Sequence, residues 1–418
     1  MKKLYFSIFF ALCFFQLTAQ NTWSSIAPFG GGERERGVAF VIGGRAYVGT
    51  GIDSANLCRS DIWEYDPGTN SWTQKANLPG PGRRDAIAFT IGSRGYVGTG
   101  INTILAFTGT KRRDLYEYNP ITNNWTAKDN WPGNFNGGVY YASAFSAGDK
   151  GYLVCGKYGP SYYSDELWEY NPAVNDWAQK QSIPGGTRYG VTAFSISGKG
   201  YVGCGSDENY FLNNFYEYDP QTDEWTEKAS FPGSPRFNAV GLAISGRGYI
   251  GMGTDGGYQK DFYEYNPATD TWLQKASLPG SERRSCVAFT IGGYGYVGTG
   301  KGADGVKRSM YKYKPYFLFD NPNDNQRIVA TVSPNPIQQQ ANITLKNIIP
   351  EKSTLNVFDM NGISVYQDEN YAATSFTFNR KGLANGIYFY EITVMENNEK
   401  HYLSGKLYLR QDEVILMT

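Results

Sequence analysis

The sequence predicts an all-β chain made of a six-bladed β-propeller followed by a small C-terminal β-sandwich. A stretch that runs from Arg83 to Pro132 recurs along most of the 418 residues with a period of roughly 50 residues, which is typical of propeller blades. Each copy consists of short runs of aromatic and β-branched residues separated by glycine turns. The repeats end near Pro315, and strands of a different pattern follow.

One repeat contains four short strands. In the copy that begins at Arg83, AFTIG and GYVGTG form the first two strands, LYEYNP forms the third, and a Trp-led run forms the fourth. A single sheet of this kind would expose apolar faces and unpaired edges. The copies must therefore pack face to face around an axis.

The order of the repeat landmarks predicts how the ring closes. The Trp of the fourth strand occurs six times, at Trp23, Trp72, Trp125, Trp177, Trp225 and Trp272. The Tyr of the third strand also occurs six times, at Tyr65, Tyr118, Tyr170, Tyr218, Tyr265 and Tyr313. Because the first Trp precedes the first complete repeat and no Trp strand follows the last, we predict that Thr22 to Pro28 pairs with the strand around Met310 to Tyr313.

Composition excludes several classes of function. The 39 acidic residues balance the 39 basic ones, which argues against a nucleic-acid binder driven by bulk charge. His401 is the only histidine, so copper oxidase chemistry and catalysis by a Ser-His-Asp or Cys-His arrangement are excluded. Pairs of Cys or His with zinc spacing are absent. The sequence predicts neither a cofactor nor a metal.

Domain boundaries follow from these patterns. Residues 1–19, with a basic start and a short apolar run, are predicted to be a cleaved signal peptide. Residues 20–316 are predicted to form the propeller, residues 317–332 a linker, and residues 333–418 the C-terminal domain. Cys155 and Cys204 occupy equivalent places in successive blades, which diverge from the axis, so we predict buried free thiols.

The repeated region resembles the kelch repeat family over roughly three quarters of the chain. The Arg before the first strand, Gly-x-Tyr-Val, Tyr-Asp/Asn-Pro and the Trp carry the resemblance. It implies a propeller like the central domain of galactose oxidase. Kelch blades usually have a Gly-Gly doublet after the second strand, whereas the first member here is Thr50, Thr99, Cys155, Cys204, Met252 or Thr299. Packing near the axis is therefore expected to differ.

A binding face is predicted on one side of the propeller. The connections between strands two and three, and between blades, are long and different in every blade. An arginine precedes the first strand in five blades, at Arg34, Arg83, Arg188, Arg236 and Arg283, with Val139 in the third. Because these places are equivalent, the five guanidinium groups should ring the channel mouth, and an arginine fork suits carboxylates. In kelch substrate adaptors, which this region resembles, arginines at this position help to hold acidic peptides.

The residues themselves leave a structural alternative open, in which each arginine pairs with a carboxylate of its blade, such as Asp61, Asp114, Glu166 or Asp261. Loop aromatic residues are predicted to stack against sugar rings or peptide side chains, namely Tyr162, Tyr163, Tyr210, Phe211 and Tyr258.

The C-terminal region contains SPNP, VFDMNGISVY, LANGIYFYEI and SGKLYLR, in that order. These motifs closely resemble the type A C-terminal sorting domain of the type IX secretion system of Bacteroidetes. The resemblance implies export through the periplasm, secretion or attachment to the cell surface, and the type IX machinery as a partner.

The sequence thus predicts an exported, non-catalytic recognition module that binds glycan or protein ligands through its variable loops. A first alternative is a carbohydrate-active enzyme of the sialic acid mutarotase type, with Asp207, Glu208 and Asp255 as conceivable acids. A second alternative is a structural surface protein.

Overall fold

The computed structural model describes residues 22–103, 109–133, 137–315, 329–346, 348, 350–360, 363–396 and 399–410. These ranges contain strands and no helix. The predicted signal peptide lies outside the described residues.

Six four-stranded antiparallel sheets form the blades, numbered 1 to 6 along the chain. The first strands, which contact each other around the axis, are Val38–Ile42, Ile87–Ile91, Ser143–Ala147, Thr192–Ile196, Val240–Ile244 and Val287–Ile291. The second strands are Arg45–Gly49, Arg94–Gly98, Lys150–Gly159, Lys199–Gly203, Arg247–Gly251 and Tyr294–Gly298.

The third strands are Ile62–Asp66, Leu115–Asn119, Tyr162–Asn171, Phe215–Asp219, Phe262–Asn266 and Met310–Lys314. The fourth strands of blades 1 to 5 are Ser71–Lys75, Asn124–Lys128, Asp176–Lys180, Glu224–Lys228 and Thr271–Lys275. A two-residue hairpin, Lys301–Gly302 with Gly305–Val306, lies in the connection between strands two and three of blade 6.

The fourth strand of blade 6 comes from the start of the described chain, as the sequence predicted. Thr22–Ile26 pairs antiparallel with Met310–Lys314, and Trp23 lies opposite Tyr313. The predicted closure of the ring is therefore confirmed, and the sixth sheet has the same four-stranded order as the others.

Indole hydrogen bonds join each blade to the one before it. Every fourth-strand Trp donates from Nε1 to a carbonyl just beyond the fourth strand of the preceding blade, over 2.8–3.1 Å. Trp23 takes part by donating to the carbonyl of Ala276 at 2.8 Å. Because blades 1 and 6 are linked in the same way as the others, this set of indole hydrogen bonds is continuous around the ring.

The recurring tyrosines lie inside the blades. The second-strand Tyr of blades 1 to 5 donates to a glutamate on the third strand over 2.5–2.8 Å, as in Tyr201 to Glu217 at 2.5 Å. Blade 6 has Lys312 in place of the glutamate, and its ammonium lies 3.7 Å from the ring centre of Tyr294. The aromatic landmarks are therefore packing residues of the core.

The residues that replace the first glycine of the kelch doublet have a left-handed backbone conformation, which glycine would adopt easily. Thr50, Thr99, Cys155, Cys204, Met252 and Thr299 all have φ between 53° and 61°. Each of them is almost fully buried. Left-handed backbone is strained for residues with a Cβ, and tight packing of the surrounding blade compensates for that strain.

The C-terminal domain is a β-sandwich. One sheet has the order Val329–Ser333, Gln340–Lys346, Ser375–Asn379, and the other Ser364–Tyr371, Lys352–Phe358, Gly386–Glu396, Glu399–Leu409. Its first strand begins at Val329 and pairs with Gln340–Lys346, so the domain begins before the boundary predicted at 333. The predicted Asn-Gly turn at 361–362 lies outside the described residues.

Cys155 and Cys204 are buried and free. Burial raises the pKa of both thiols to about 12, although Arg188 near Cys155 and Arg236 near Cys204 act in the opposite direction. Cys58 is also free but partly exposed. The structure thus agrees with the prediction of buried free thiols.

At pH 8 we expect iodoacetamide to label Cys58 in the native protein and to label Cys155 and Cys204 only after unfolding, because a buried thiol is neither accessible nor ionised. Peptide mass spectrometry would report the order of labelling. Equal labelling of Cys155 in native and unfolded protein would contradict the burial.

We expect a chain that begins after Pro28 to lose the cooperative melting of a chain that begins at Gln20, because its sixth sheet lacks a strand and its fifth blade lacks the Trp23 indole bond. Circular dichroism and calorimetry on the two chains would test this. If both melted in one transition at the same temperature, the closing strand would not be what holds the ring together.

Candidate functional site

The five predicted arginines are buried within their own blades. Their exposed fraction is 0–1%. Arg34 donates to Asp61 at 2.7 Å, Arg83 to Asp114 at 2.9 Å and Arg236 to Asp261 at 2.8 Å. Arg188 donates to Asn214 at 2.6 Å and Arg283 to Ser309 at 3.0 Å. The contacts of Arg34, Arg83 and Arg236 are the carboxylate pairs of the structural alternative, while Arg188 and Arg283 contact an amide and a hydroxyl at the equivalent position. Ligand binding by the five arginines stays a prediction.

Blade 3 shows what replaces the arginine. Val139 stands at the arginine position, and the carboxylate of Glu166 accepts a hydrogen bond from the hydroxyl of Tyr158 at 2.7 Å instead. The indole of Trp168 also donates to Glu166, at 2.9 Å. The pairing of the blade is therefore retained with a different donor, which supports a structural role for this position.

The residue two places after each arginine position lies closer to the axis. These residues are Arg36, Asp85, Tyr141, Gly190, Asn238 and Ser285, and all have φ of 52–62°. Five backbone hydrogen bonds of 2.9–3.1 Å join neighbouring members from blade to blade. We call this set the axial ring. It runs around the axis on the variable-loop side of the first strands.

The residue just before each ring member lies on the variable-loop side of the ring. Each forms a β-bridge with the residue that follows the doublet of its own blade, as in Glu35 with Ile52 and Arg284 with Lys301. The axial ring and these six residues, Glu35, Arg84, Tyr140, Tyr189, Phe237 and Arg284, together form what we call the mouth.

One side of the mouth is an ionic cluster. Asp85 accepts hydrogen bonds from Arg36, at 3.3 Å, and from Arg84. Arg36 also contacts the Tyr141 hydroxyl, and its guanidinium lies 5.0 Å from the ring centre. Burial acts to lower the pKa of Arg36, but Asp85, Tyr141 and Glu35 outweigh it, so that pKa is raised. Arg36 is therefore a permanent cation at the opening.

Buried polar atoms without hydrogen bonds lie beside this cluster. Among the described residues, Arg284 Nε, Ser285 Oγ, Asn238 Nδ2 and Glu35 Oε2 have no hydrogen-bond partner. They belong to blades 5, 6 and 1, which are neighbours in the ring. Unpaired buried polar groups are costly, so such a concentration at one opening is a feature of a binding site.

The other side of the mouth is aromatic. Tyr163 stacks on Tyr189 with ring centres 5.2 Å apart, and Phe211 stacks on Phe237 at 5.4 Å. Tyr189 meets Phe237 edge-on at 5.7 Å, so the four rings form one continuous row. Lys157 lies 4.3 Å from the ring centre of Tyr189. The mouth therefore combines a cationic side and an aromatic side.

The structure brings the five predicted loop aromatics to this face in different ways. Tyr163 and Phe211 belong to the row, while Tyr258 lies under Arg284 at 5.7 Å. Tyr162 and Tyr210 are exposed, by 62% and 72%. Ligand binding by these residues stays a prediction.

Two of the conceivable acids have structural duties. Asp207 accepts backbone hydrogen bonds from Asn209 and Tyr210 in its own turn. Asp255 accepts from Gln259 at 2.8 Å. Burial acts to raise the pKa of Asp255, but hydrogen bonds from Ser234 and Gln259 lower it overall, which does not suit a general acid.

Within the described ranges, no group of three or more His, Cys, Asp or Glu side chains is placed to hold a metal ion.

Sequence reasoning missed Arg36, Arg84, Arg284, Asn238 and Ser285. These residues lie one or two places after the repeat arginine of their blade, and this spacing could have identified them. The side chains at these positions differ from blade to blade, whereas structural positions repeat. A side chain that varies at an equivalent position beside the axis was therefore the available indication of a binding residue.

Arg236→Ala should lower the free energy of unfolding by about 3–5 kcal/mol, because it leaves the Asp261 carboxylate without its bidentate partner. Arg45→Ala is the matched control, since its pair with Asp66 is exposed and should contribute about 0–1 kcal/mol. Urea unfolding would measure both. A stable Arg236→Ala protein would contradict the structural role of this arginine.

Comparison with known proteins agrees with this architecture. Residues 331–404 match the family of secretion system C-terminal sorting domains. No curated protein matches the chain. The solved structure of YjhT, a kelch-type propeller, is similar, with a TM-score of 0.58 and 16% identity over 77% of this chain and 99% of that one.

At that identity, the likeness to YjhT shows the fold alone. The sorting domain marks proteins exported by type IX secretion, so this protein is secreted or attached to the cell surface. In the described ranges, no helix has the length and apolar character needed to cross a bilayer. The chain is an exported six-bladed propeller that carries a type IX sorting domain.

Proposed function

We propose that the propeller is a non-catalytic recognition module that binds a carboxylate-bearing glycan or peptide at the mouth. The observation that carries this proposal is the group of unpaired buried polar atoms on Arg284, Ser285 and Asn238, next to the cation of Arg36. A ligand carboxylate would accept hydrogen bonds from the donors among these groups.

The charge of the mouth fits an anionic ligand. Its basic residues are Arg36, Arg84 and Arg284, and its acidic residues are Glu35 and Asp85. Lys157 and Lys301 form β-bridges with mouth residues, and Glu208 lies near Lys157. Asp85 is already shared by two arginines. An arginine fork binds a carboxylate with two parallel hydrogen bonds, and a partly buried position strengthens them.

The aromatic row gives the mouth its second property. Rings that already stack on each other are held rigidly, so they lose little conformational entropy on binding. Partly exposed ring edges and faces of Tyr189 and Phe237 would contact the apolar side of a sugar or of a peptide side chain. The expected ligand therefore has a carboxylate on one side and an apolar surface on the other.

Arg284→Ala should weaken binding of a carboxylated glycan or acidic peptide about 10- to 100-fold, the loss expected for one charge-assisted hydrogen bond. Binding partners would first be found on glycan and peptide arrays, and affinities measured by calorimetry. Arg94→Ala, on the opposite side of the ring, is the control and should bind like the wild type. Equal binding of uncharged analogues, or no effect of Arg284→Ala, would reject the proposal.

A further inference from the structure

The sorting domain has an apolar patch on the outer side of one of its sheets. Leu355 and Val357 of strand Lys352–Phe358 face the sandwich core, so their neighbour Phe358 faces outward. Phe358 is nevertheless only 5% exposed. On the adjoining strand, Phe389 lies opposite Phe358, and Glu391 lies opposite Asn356. Something outside the sandwich must therefore cover this patch.

The propeller covers it with the turns between its first and second strands. A Cβ added to Gly246 of blade 5 would lie 3.6 Å from Phe358, and one added to Gly293 of blade 6 would lie 3.2 Å from Phe389. At Gly44 of blade 1, the nearest atom would be Met360 Cε, at 2.7 Å. These three blades are consecutive around the ring.

The equivalent turns of the other three blades are not covered. Both turn residues are exposed in each of these blades, at 92–93, 148–149 and 197–198, whereas the second turn residue is partly buried at Gly44, Gly246 and Gly293. A Cβ added to Gly198, which is equivalent to those three glycines, would meet no described atom within 4 Å. The turns are alike in length and sequence in all six blades. The difference between the two halves of this face is therefore due to the sorting domain.

An ion pair crosses the contact. Arg247 Nη2 lies 3.7 Å from Glu391 Oε1, and the two side chains are only 13% and 15% exposed. The equivalent arginines of blades 1 and 2 pair within their own blades, Arg45 with Asp66 at 2.6 Å and Arg94 with Glu117 at 3.6 Å. Burial raises the pKa of Glu391, while Arg247 opposes the rise. A buried carboxylate requires such a partner.

The domain also reaches the axis. A channel cavity of about 340 Å³, lined mainly by the first strands, has Asp359 and Ile363 of the sorting domain at this end. The mouth lies at the other end, on the variable-loop side. The chain's own tail thus lies at one end of the channel, while the ligand site faces away from it.

We propose that the turns of blades 5, 6 and 1 are a docking site for the chain's own sorting domain, with Arg247 and Glu391 as the polar anchor. The domain is then exported docked on the propeller, at the end of the channel opposite the mouth. The tether does not impose this arrangement, because the residues 316–328 could span about 40 Å when extended.

Hydrogen exchange of the full mature chain, measured by mass spectrometry, tests the proposal. In the wild type, the turns at Gly44, Gly246 and Gly293 should exchange several-fold more slowly than those at Gly92, Gly148 and Gly198. Arg247→Glu should remove this difference. Arg94→Glu, the equivalent change in an uncovered blade, should preserve it. The exchanged pair, Arg247→Glu with Glu391→Arg, should restore protection, which separates a lost contact from a misfolded protein.

Equal exchange of the six turns in the wild type would overturn the proposal. Protection that survives Arg247→Glu would overturn the role of the ion pair. Protection that disappears on dilution would show that the covering domain belongs to a second copy, and would also overturn docking within one chain.

Discussion

The fold depends on the pairing of Thr22–Ile26 with Met310–Lys314. Every other blade takes its four strands from one continuous segment, so this is the only sheet that joins distant parts of the described propeller. Closing a loop between such distant residues costs conformational entropy, but this cost increases only with the logarithm of the loop length. The pairing of five residues on each strand and the Trp23 indole offset it, and the sixth blade has the same four strands as the others.

Closure also makes the mouth possible. The axial ring runs from blade to blade through the seam, since Arg36 of blade 1 donates to the carbonyl of Ser285 in blade 6. Asn238, Ser285 and Arg284, which have side-chain atoms without hydrogen bonds, lie on one side of that seam, and Glu35 and Arg36, which form an ion pair, lie on the other. An open ring would separate them. The strained left-handed residues of the ring are therefore held in place by the same contact that holds the blades together.

Repetition explains how much could be predicted. Positions that repeat in every blade are structural, and from them the sequence predicted the strands, the number of blades and the closing strand. Repetition alone could not show that Arg34, Arg83, Arg188, Arg236 and Arg283 are each held by the residue just before the third strand of their own blade. The mouth residues could not be found in this way, because Arg36, Asp85, Tyr141, Gly190, Asn238 and Ser285 share a backbone conformation but not a side chain. Nor could the sequence show that Phe358 is covered by a domain far away in the chain.

A propeller with two different faces can separate export from recognition. The short turns are nearly identical, so a sorting domain that contacts glycines and one arginine there places few demands on the sequence of the blades. The long connections lie on the opposite side and differ from blade to blade. Changes in the ligand site would then leave the docked tail undisturbed, because the rigid blades lie between them. The two faces are least independent at the polar anchor on blade 5. The strand that begins at Arg247 leads directly to Met252, and the Met252 carbonyl accepts a hydrogen bond from Arg236 below the mouth.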